Sequence, residues 1–375
     1  MEFALDQAIQ ALRPTTRETD FDVGEVVKST IHRFPAQQLS ARISSKGKTL
    51  VVATSTVVDT PDRYFWFQSI VGPGSAVEAS NAMTRAIMES LELDSFAEAR
   101  KRLTTRLVRR EAENTPVPTP PSGLFEVVHY DAPVGKLAAY LSPDPGDGKK
   151  HPAIIWVFGG LSNSIGDTAW EPASPANDQS ASAFRKAGII MMYPSFRGGN
   201  DNPGFKEGFF GEVDDVLAAA DFLARQDHVD PQRIYLGGHS TGGTLVLLAA
   251  AASDRFRAVF SFGPVGDPAA YHDEGEEVHD TSNPHEIELR APERWLSQIA
   301  SPTFVFEGTE GNISSLAKMA TLASSRPKTN FYPIQGADHF EILAPLTALI
   351  ARKITSDHGR ASAISFTQAE LDGSR

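Results

Sequence analysis

The sequence contains no cysteine among its 375 residues. The absence of thiols excludes a disulfide framework, a cysteine nucleophile and cysteine-ligated zinc sites. Basic residues are outnumbered, because Lys and Arg total 35 against 47 Asp and Glu, which gives a formal net charge of -12. Nucleic acids and anionic membrane surfaces attract basic proteins, so this balance argues against both as partners.

Long apolar runs are also missing, so the sequence predicts no membrane-spanning helix. Residues 1–16 lack a basic segment followed by an apolar stretch and do not indicate a signal peptide. The expected location is therefore the cytoplasm. The composition is typical of a globular protein with a sizeable core, since 41% of the residues are hydrophobic and 22% are charged. The length suggests two domains, or one large domain with an appendage.

Residues 1–113 predict a small α+β domain. Helical spacing of apolar residues indicates a helix over 3–12, and β-branched and aromatic residues indicate strands over 25–34, 49–58 and 64–67. Two more helices are predicted over 75–93 and 95–109. The proline-dense stretch 114–122 predicts a stiff linker. The aromatic strand and the linker make this domain a candidate surface for a homo-oligomer.

Residues 123–375 predict a second domain of the α/β class, because strands and helices alternate there. This alternation indicates a mostly parallel sheet with crossover helices. Apolar strands are predicted over 153–158, 189–193, 234–236, 258–262, 303–306 and 330–333. Helices are predicted over 178–187, 212–225 and 342–354.

The stretch 265–295 lacks clear periodicity and predicts a lid-like insertion in this domain. It contains three histidines among acidic residues, His272, His279 and His285. Their spacing fits neither a helical nor a compact ligand pattern, so the sequence predicts no metal and no cofactor. The acidic residues disfavour a strongly anionic substrate.

The strongest functional signal is the pentapeptide Gly238-His239-Ser240-Thr241-Gly242. In a G-x-S-x-G motif between a strand and a helix, the serine lies at the apex of a sharp turn with its hydroxyl exposed. Here Ile234-Tyr235-Leu236 precedes the motif, and an Ala/Leu-rich segment follows it. We therefore predict Ser240 to be a nucleophile.

A serine hydroxyl needs a base, and the base needs an orienting acid. The predicted base is His339, in a loop between the last strand and the last helix. Glu310 is the first choice of acid because it follows the strand 303–306, and Glu307 and Asp267 are the alternatives. The predicted oxyanion donors are the backbone N–H groups of Thr241 and Leu161, with Gly160 next.

Several segments together carry a family resemblance: Ser195–Gly199, the acidic helix 212–225, Asp227–Pro231, Gly237–Gly243, Asp338-His339 and Phe158–Leu161. Over residues 123–355 the chain resembles the α/β-hydrolase fold. Within it, the resemblance is to the catalytic domain of the prolyl oligopeptidase-like (S9-type) serine hydrolases. This resemblance implies a Ser–acid–His order along the chain.

The sequence also departs from that family. Some members carry a tyrosine where Phe158 stands, so the oxyanion site here is expected to rest on backbone groups. Members usually place an aspartate at the position of Gly311. Residues 1–113 are too short for the family's β-propeller and show no blade-like repeat.

The predicted function is hydrolysis of a carboxylic ester, or a similar small-molecule acyl compound, through an acyl-enzyme. The first alternative is a hydrolase of short peptides or aminoacyl compounds that uses the same residues. The second alternative, from another class, is a non-catalytic binding protein on a hydrolase fold.

Overall fold

The computed structural model describes residues 20–23, 27–31, 34–45, 48–59, 64–71, 95–171, 173–271, 277–323 and 328–374. The helices predicted over 3–12 and 75–93 lie outside these residues. The chain divides into two compact units, Met1–Ser95 and Phe96–Arg375. Each unit is described by itself below.

The first unit contains an antiparallel sheet of five described strands. They are β1 (Asp20–Val23), β2 (Val27–Ile31), β3 (Phe34–Ser45), β4 (Lys48–Asp59) and β5 (Tyr64–Val71). Their order is β1-β3-β4-β5, and β2 also pairs with β3. The strand predicted over 25–34 is confirmed by β2, although Phe34 belongs to β3, which pairs antiparallel with β2. Leu39, Ala41 and Ala53 are buried.

The second unit contains an eight-stranded sheet. Its strands are β6 (Glu126–Ala132), β7 (Gly135–Leu141), β8 (His151–Val157), β9 (Ile190–Pro194), β10 (Val229–His239), β11 (Val259–Phe262), β12 (Thr303–Gly308) and β13 (Thr329–Ile334). Their order is β13-β12-β11-β10-β8-β9-β7-β6. The six strands from β13 to β9 pair in parallel, and β7 and β6 are antiparallel. The predicted, mostly parallel α/β sheet is confirmed.

The described helices of this unit are α1 (Phe96–Arg102), α2 (Ala183–Lys186), α3 (Gly211–Leu223), α4 (Thr241–Ala252), α5 (Pro284–Glu288), α6 (Ile313–Leu322), α7 (Leu343–Ser356) and α8 (Gln368–Asp372). Short 3-10 turns lie at Asp167–Ala169, Pro268–Tyr271, Pro292–Arg294 and Leu296–Gln298. The stretch 265–295, predicted as a lid, thus includes two of these turns and α5. Residues 272–276 lie outside the described part.

The helix predicted over 95–109 is wrong beyond Arg102, where α1 ends. The following backbone is held by tertiary contacts, because Arg106 N–H donates to Glu286 Oε1 at 2.7 Å. Leu107 forms an isolated bridge with His279.

The two units therefore divide before α1, earlier in the chain than the linker predicted at 114–122. Within that stretch, the carbonyl of Pro118 accepts a hydrogen bond from the Tyr140 hydroxyl at 2.7 Å.

Two apolar clusters cover the two faces of the large sheet. One includes Val213 and Val216 of α3 and Leu245 and Leu248 of α4. The other includes Trp156 of β8 with residues of α2 and α7. A parallel sheet covered on both faces leaves its carboxyl edge for a site. No helix in the described ranges is both long and apolar enough to cross a membrane.

Candidate active site

Ser240 lies between the end of β10 and the start of α4, in a strained backbone conformation. Its φ is 56° and its ψ is -118°, which is rare for a residue with a side chain. The flanking glycines permit this turn: a Cβ at Gly238 would lie 2.6 Å from Gly242 O, and one at Gly242 would lie 2.3 Å from Val157 O. The predicted elbow therefore has a steric basis in both glycines.

His339 lies in the loop between β13 and α7, and its ring contacts a carboxylate. Its Nδ1 is 3.0 Å from Glu307 Oε2, and the Glu307 side chain is 1% exposed. A carboxylate accepts, so Nδ1 carries the proton of this bond. The other ring nitrogen, Nε2, is therefore the one available as a base. The ring lies 4.5 Å from that of His239, the residue before Ser240.

The carboxylate that contacts His339 is that of Glu307, the first alternative, and not that of Glu310, the first choice of acid. Glu310 is exposed, and its backbone N–H donates to Ala337 O at 3.0 Å. The physical reason is strand length: β12 runs to Gly308, so Glu307 lies at the carboxyl end of the strand beside the His339 loop. Asp267, the third choice, accepts from Ala269 N at 3.0 Å in a turn.

Two glycines make room for the His339–Glu307 pair. A Cβ at Gly311 would lie 2.4 Å from Glu307 Oε1, and that oxygen accepts from Gly308 N at 2.7 Å. Gly263, which follows β11, has a φ of +59°, and a Cβ there would lie 2.2 Å from His339 Cε1. Sequence reasoning missed Gly263, because its function depends on a loop far along the chain. In the sequence, Gly311 differs from the family pattern only as the place where members usually have an aspartate.

The loop after β8 lies against the start of α4. Thr241 Oγ1 donates to Gly160 O, and a Cβ at Gly159 would lie 3.1 Å from Ser240 Cβ. Thr241 is the first residue of α4, so its N–H has no acceptor within the helix. Gly160, Leu161 and Thr241 line a small cavity of about 40 Å³. The two predicted oxyanion donors, Thr241 and Leu161, are thus brought to one cavity.

Phe158 has no hydroxyl, and its ring is stacked on another ring. It lies 5.0 Å from Tyr193 with an interplanar angle of 4°. The Tyr193 hydroxyl donates away from this loop, to Ser180 O at 2.6 Å. Neither Phe158 nor Tyr193 therefore offers a side-chain hydroxyl to this loop.

His239 is a residue of the site that sequence reasoning did not use. It is 2% exposed, and its Nε2–H donates to His339 O at 3.1 Å. Its Nδ1 has no hydrogen-bond partner among the described residues. Burial, followed by the neighbouring His339, lowers the pKa of His239 to about 3. His239 is thus a neutral donor that holds the backbone of His339.

The described residues include no group of three or more His, Asp or Glu side chains that could hold a metal ion. Of the three histidines in the predicted insertion, His285 has a side chain that is 73% exposed and lies 3.5 Å from Glu288. His272 lies outside the described residues. The carboxyl edge of the sheet thus carries the Ser240 turn and the contact between His339 and Glu307.

Comparisons with known proteins agree with this fold. Residues 175–310 match the prolyl oligopeptidase family, Peptidase S9. A dual function macrocyclase-peptidase POPB of Galerina marginata is 32% identical over 128 residues, which is 32% of this chain and 17% of that protein.

Two solved structures are similar in fold. A puromycin-hydrolysing peptidase of Mycobacterium tuberculosis has a TM-score of 0.51 at 16% identity, over 84% of this chain and 52% of that one. A puromycin hydrolase has a TM-score of 0.50 at 13% identity, over 87% of this chain and 53% of that one. This chain therefore corresponds to about half the length of each solved relative and to a smaller part of the macrocyclase-peptidase.

The eight-stranded sheet and the two similar solved structures show that this chain has the α/β-hydrolase fold. The segment that matches the prolyl oligopeptidase family, residues 175–310, runs from before α2 to the loop after β12. The resemblance inferred from Gly237–Gly243 and its companion motifs is confirmed.

Proposed function

We propose that this chain hydrolyses an acyl bond through Ser240, His339 and Glu307, by way of an acyl-enzyme. The observation that carries the proposal is the 3.0 Å bond from His339 Nδ1 to Glu307 Oε2 beside the strained Ser240 elbow. His339 Nε2 takes the proton of the Ser240 hydroxyl as Oγ attacks the carbonyl carbon. It then delivers that proton to the leaving group, and water releases the acyl group by the same route.

Glu307 orients the imidazole and offsets its positive charge in the transition state. The backbone N–H groups of Thr241 and Leu161 are the proposed donors to the developing oxyanion. Thr241 N–H lies at the positive end of α4, which favours negative charge there. Water-excluded donors of this kind stabilise the transition state more than the substrate.

Of the two bonds considered from the sequence, we favour the amide of an aminoacyl or short peptidyl compound over the ester. The supporting observations are the Peptidase S9 segment and two fold neighbours that hydrolyse puromycin by name. An amine is a poor leaving group unless it is protonated, and a carboxylate-supported imidazole supplies that proton.

A second cavity, of about 140 Å³, lies in the same unit and suits an uncharged or cationic group. Its apolar lining includes Phe209, Pro268, Val278 and Ile287. Two cations at its lining are paired: Lys206 lies 3.8 Å from Glu111, and Arg290 lies 2.6 Å from Glu286. Two further carboxylates, of Asp267 and Glu277, also line it. This excess of carboxylates over unpaired cations at the lining disfavours an anionic acyl group.

The first experiment tests the nucleophile. Ser240→Ala is expected to abolish both labelling by a fluorophosphonate probe and hydrolysis of a p-nitrophenyl ester, while Ser253→Ala, at the other end of α4, should retain both. Labelling of the Ser240→Ala protein would place the nucleophile elsewhere. A folded wild-type protein that no probe labels would favour the binding-only alternative.

The second experiment tests the bond. One acyl group is offered as an aminoacyl amide and as the matching alkyl ester, and each kcat/KM is divided by the rate of alkaline hydrolysis in solution. We expect the larger acceleration for the amide. Ester turnover without amide turnover would return the assignment to an esterase.

A homo-oligomer through residues 1–113 stays a prediction, which the molar mass in solution tests.

A further inference from the structure

The side-chain hydroxyl of Thr241 is a group that the mechanism above does not use. Thr241 is 7% exposed, and its Oγ1 donates to Gly160 O at 2.5 Å. A carbonyl oxygen only accepts, so the hydroxyl is the donor of this bond. The bond joins the residue after Ser240 to the loop that follows β8. Thr241 therefore contacts that loop through its side chain, in addition to offering its N–H to the oxyanion.

Close backbone contacts fix the first part of this loop. A Cβ at Gly242 would lie 2.6 Å from Phe158 O, so this carbonyl lies against the start of α4. A Cβ at Gly159 would lie 3.1 Å from both His239 O and Ser240 Cβ. The loop is therefore packed against the elbow as far as Gly159.

The packing opens at the next residue, Gly160. Nothing lies within 4 Å of a Cβ at Gly160, and its φ of +96° is one that glycine adopts readily. Leu161, which follows, is 40% exposed. A peptide between a glycine and an exposed residue has room to rotate. The hydrogen bond from Thr241 Oγ1 therefore restrains the peptide that joins Gly160 to Leu161.

That peptide carries the second proposed oxyanion donor, the Leu161 N–H. In a planar trans peptide the C=O and the N–H point in opposite directions, so a bond that holds Gly160 O also fixes the direction of the Leu161 N–H. Among the described residues, this N–H donates to no backbone carbonyl. Leu161 and Thr241 line the same cavity of about 40 Å³. The Leu161 N–H is thus oriented without being used by the loop itself.

A second anchor holds the loop after the donor. The Glu113 carboxylate accepts from Ser162 Oγ at 2.5 Å and from Ser164 Oγ at 2.7 Å. Glu113 is itself attached, since its N–H donates to Gly198 O at 2.8 Å. Removal of the Thr241 hydroxyl therefore leaves the loop attached at both ends and frees only the peptide between the two anchors.

We propose that the Thr241 hydroxyl is a positioning group, which holds the peptide between Gly160 and Leu161 so that the Leu161 N–H faces the developing oxyanion. The proposal rests on the proposed function, because it concerns the second donor of that site. Thr241 then serves the oxyanion twice, through its own N–H and through the direction of a neighbouring one. A donor that is already oriented needs no rearrangement as negative charge develops on the carbonyl oxygen.

The test is Thr241→Val, which keeps the shape of the side chain and the backbone N–H and removes the hydroxyl. We expect kcat/KM for p-nitrophenyl butyrate to fall about tenfold, because loss of a whole oxyanion donor costs about 10²–10³-fold and here one donor is only misdirected. Thr241→Ser, which restores the hydroxyl, should recover most of the wild-type rate. The matched control is Thr347→Val, which removes a buried hydroxyl that donates to Leu343 O at 2.7 Å in α7 and should leave kcat/KM unchanged.

A transition-state analogue separates orientation from stability. Trifluoromethyl propyl ketone carries the same butyryl group, and its adduct with Ser240 places an oxyanion where the ester carbonyl oxygen would be. We expect its Ki to rise about tenfold in Thr241→Val and to return toward the wild-type value in Thr241→Ser. A structural function would lower the melting temperature of Thr241→Val and leave kcat/KM and Ki unchanged, which would overturn the proposal. Equal losses in Thr241→Val and Thr241→Ser would also overturn it.

Thr241→Ala provides the second variant if Thr241→Val does not fold. It also lacks the hydroxyl, so we expect the same losses of kcat/KM and of affinity for the ketone. Wild-type values of both in Thr241→Ala would contradict the proposal. A wild-type protein that neither labels at Ser240 with a fluorophosphonate nor hydrolyses p-nitrophenyl butyrate would instead contradict the proposed function itself.

Discussion

Two imidazole rings lie 4.5 Å apart at the carboxyl edge of the large sheet, and their surroundings differ. The His339 ring is hydrogen-bonded to the Glu307 carboxylate at 3.0 Å. The His239 ring, on the elbow, faces the carbonyl of His339 and has no carboxylate partner among the described residues. Burial lowers the pKa of His239 to about 3.

The hydrogen-bond partner of each imidazole, more than its position at the sheet edge, decides whether that ring can accept a proton. A buried imidazole without a carboxylate stays neutral and serves as a fixed donor. A ring that contacts a buried carboxylate can accept a proton in the transition state, because the carboxylate offsets the new charge. Removing the carboxylate charge should therefore have the largest effect, filling the space around His339 a smaller one, and replacing the neutral ring the smallest.

Glu307→Gln should cause the largest loss. The amide keeps the size of the side chain but removes the charge, so His339 loses the group that holds its tautomer and offsets its positive charge. We expect kcat to fall about 10³-fold or more, by analogy with the same change in other serine hydrolase triads. The control is Glu310→Gln, which should stay within about twofold of wild type because Glu310 is exposed. A large loss with Glu310→Gln and none with Glu307→Gln would show that Glu310 is the acid.

Gly263→Ala should cause the next largest loss, by moving the ring instead of its partner. The added methyl would lie 2.2 Å from His339 Cε1, and a residue with φ of +59° favours glycine. We expect kcat to fall about 100-fold, as displacements near 1 Å cause in other active sites. Gly166→Ala is the matched control, since nothing lies within 4 Å of its Cβ position. A folded Gly263→Ala protein with the wild-type rate would show that the His339 ring lies elsewhere during turnover.

The elbow was predictable from sequence because its determinants are local. Gly238 and Gly242 flank Ser240 within five residues, and the strand and helix on either side have plain apolar patterns. Glycine is needed at both positions because a side chain would collide with neighbouring backbone. A Cβ at Gly242, for example, would lie 2.3 Å from Val157 O. The same holds for the parallel sheet, whose buried strands show as continuous apolar runs.

The carboxylate that contacts His339 and the division of the chain were not predictable in this way, because distant segments decide both. Glu307 faces His339 since β12 continues to Gly308 and the 335–339 loop folds over it, with Ala337 O 2.2 Å from a Cβ at Gly308. Phe96 belongs to the second unit through its contact with Trp295, at 5.0 Å. Neither contact has a signature within a short window of sequence.

The smallest expected effect concerns His239 and the dependence of stability on pH. Its pKa is about 3 in the folded protein, against 6.5 for an unperturbed histidine. Between these values the unfolded chain binds more protons, so this stability is complete above pH 6.5 and is lost as the pH falls toward 3. At one proton per site the loss is about 2 kcal/mol at pH 5.

His239→Gln, which keeps an N–H donor but does not titrate, should lose correspondingly less stability between pH 7 and pH 5 in urea denaturation. If His239→Gln and wild type lose stability in parallel on acidification, His239 is not the neutral ring of the pair.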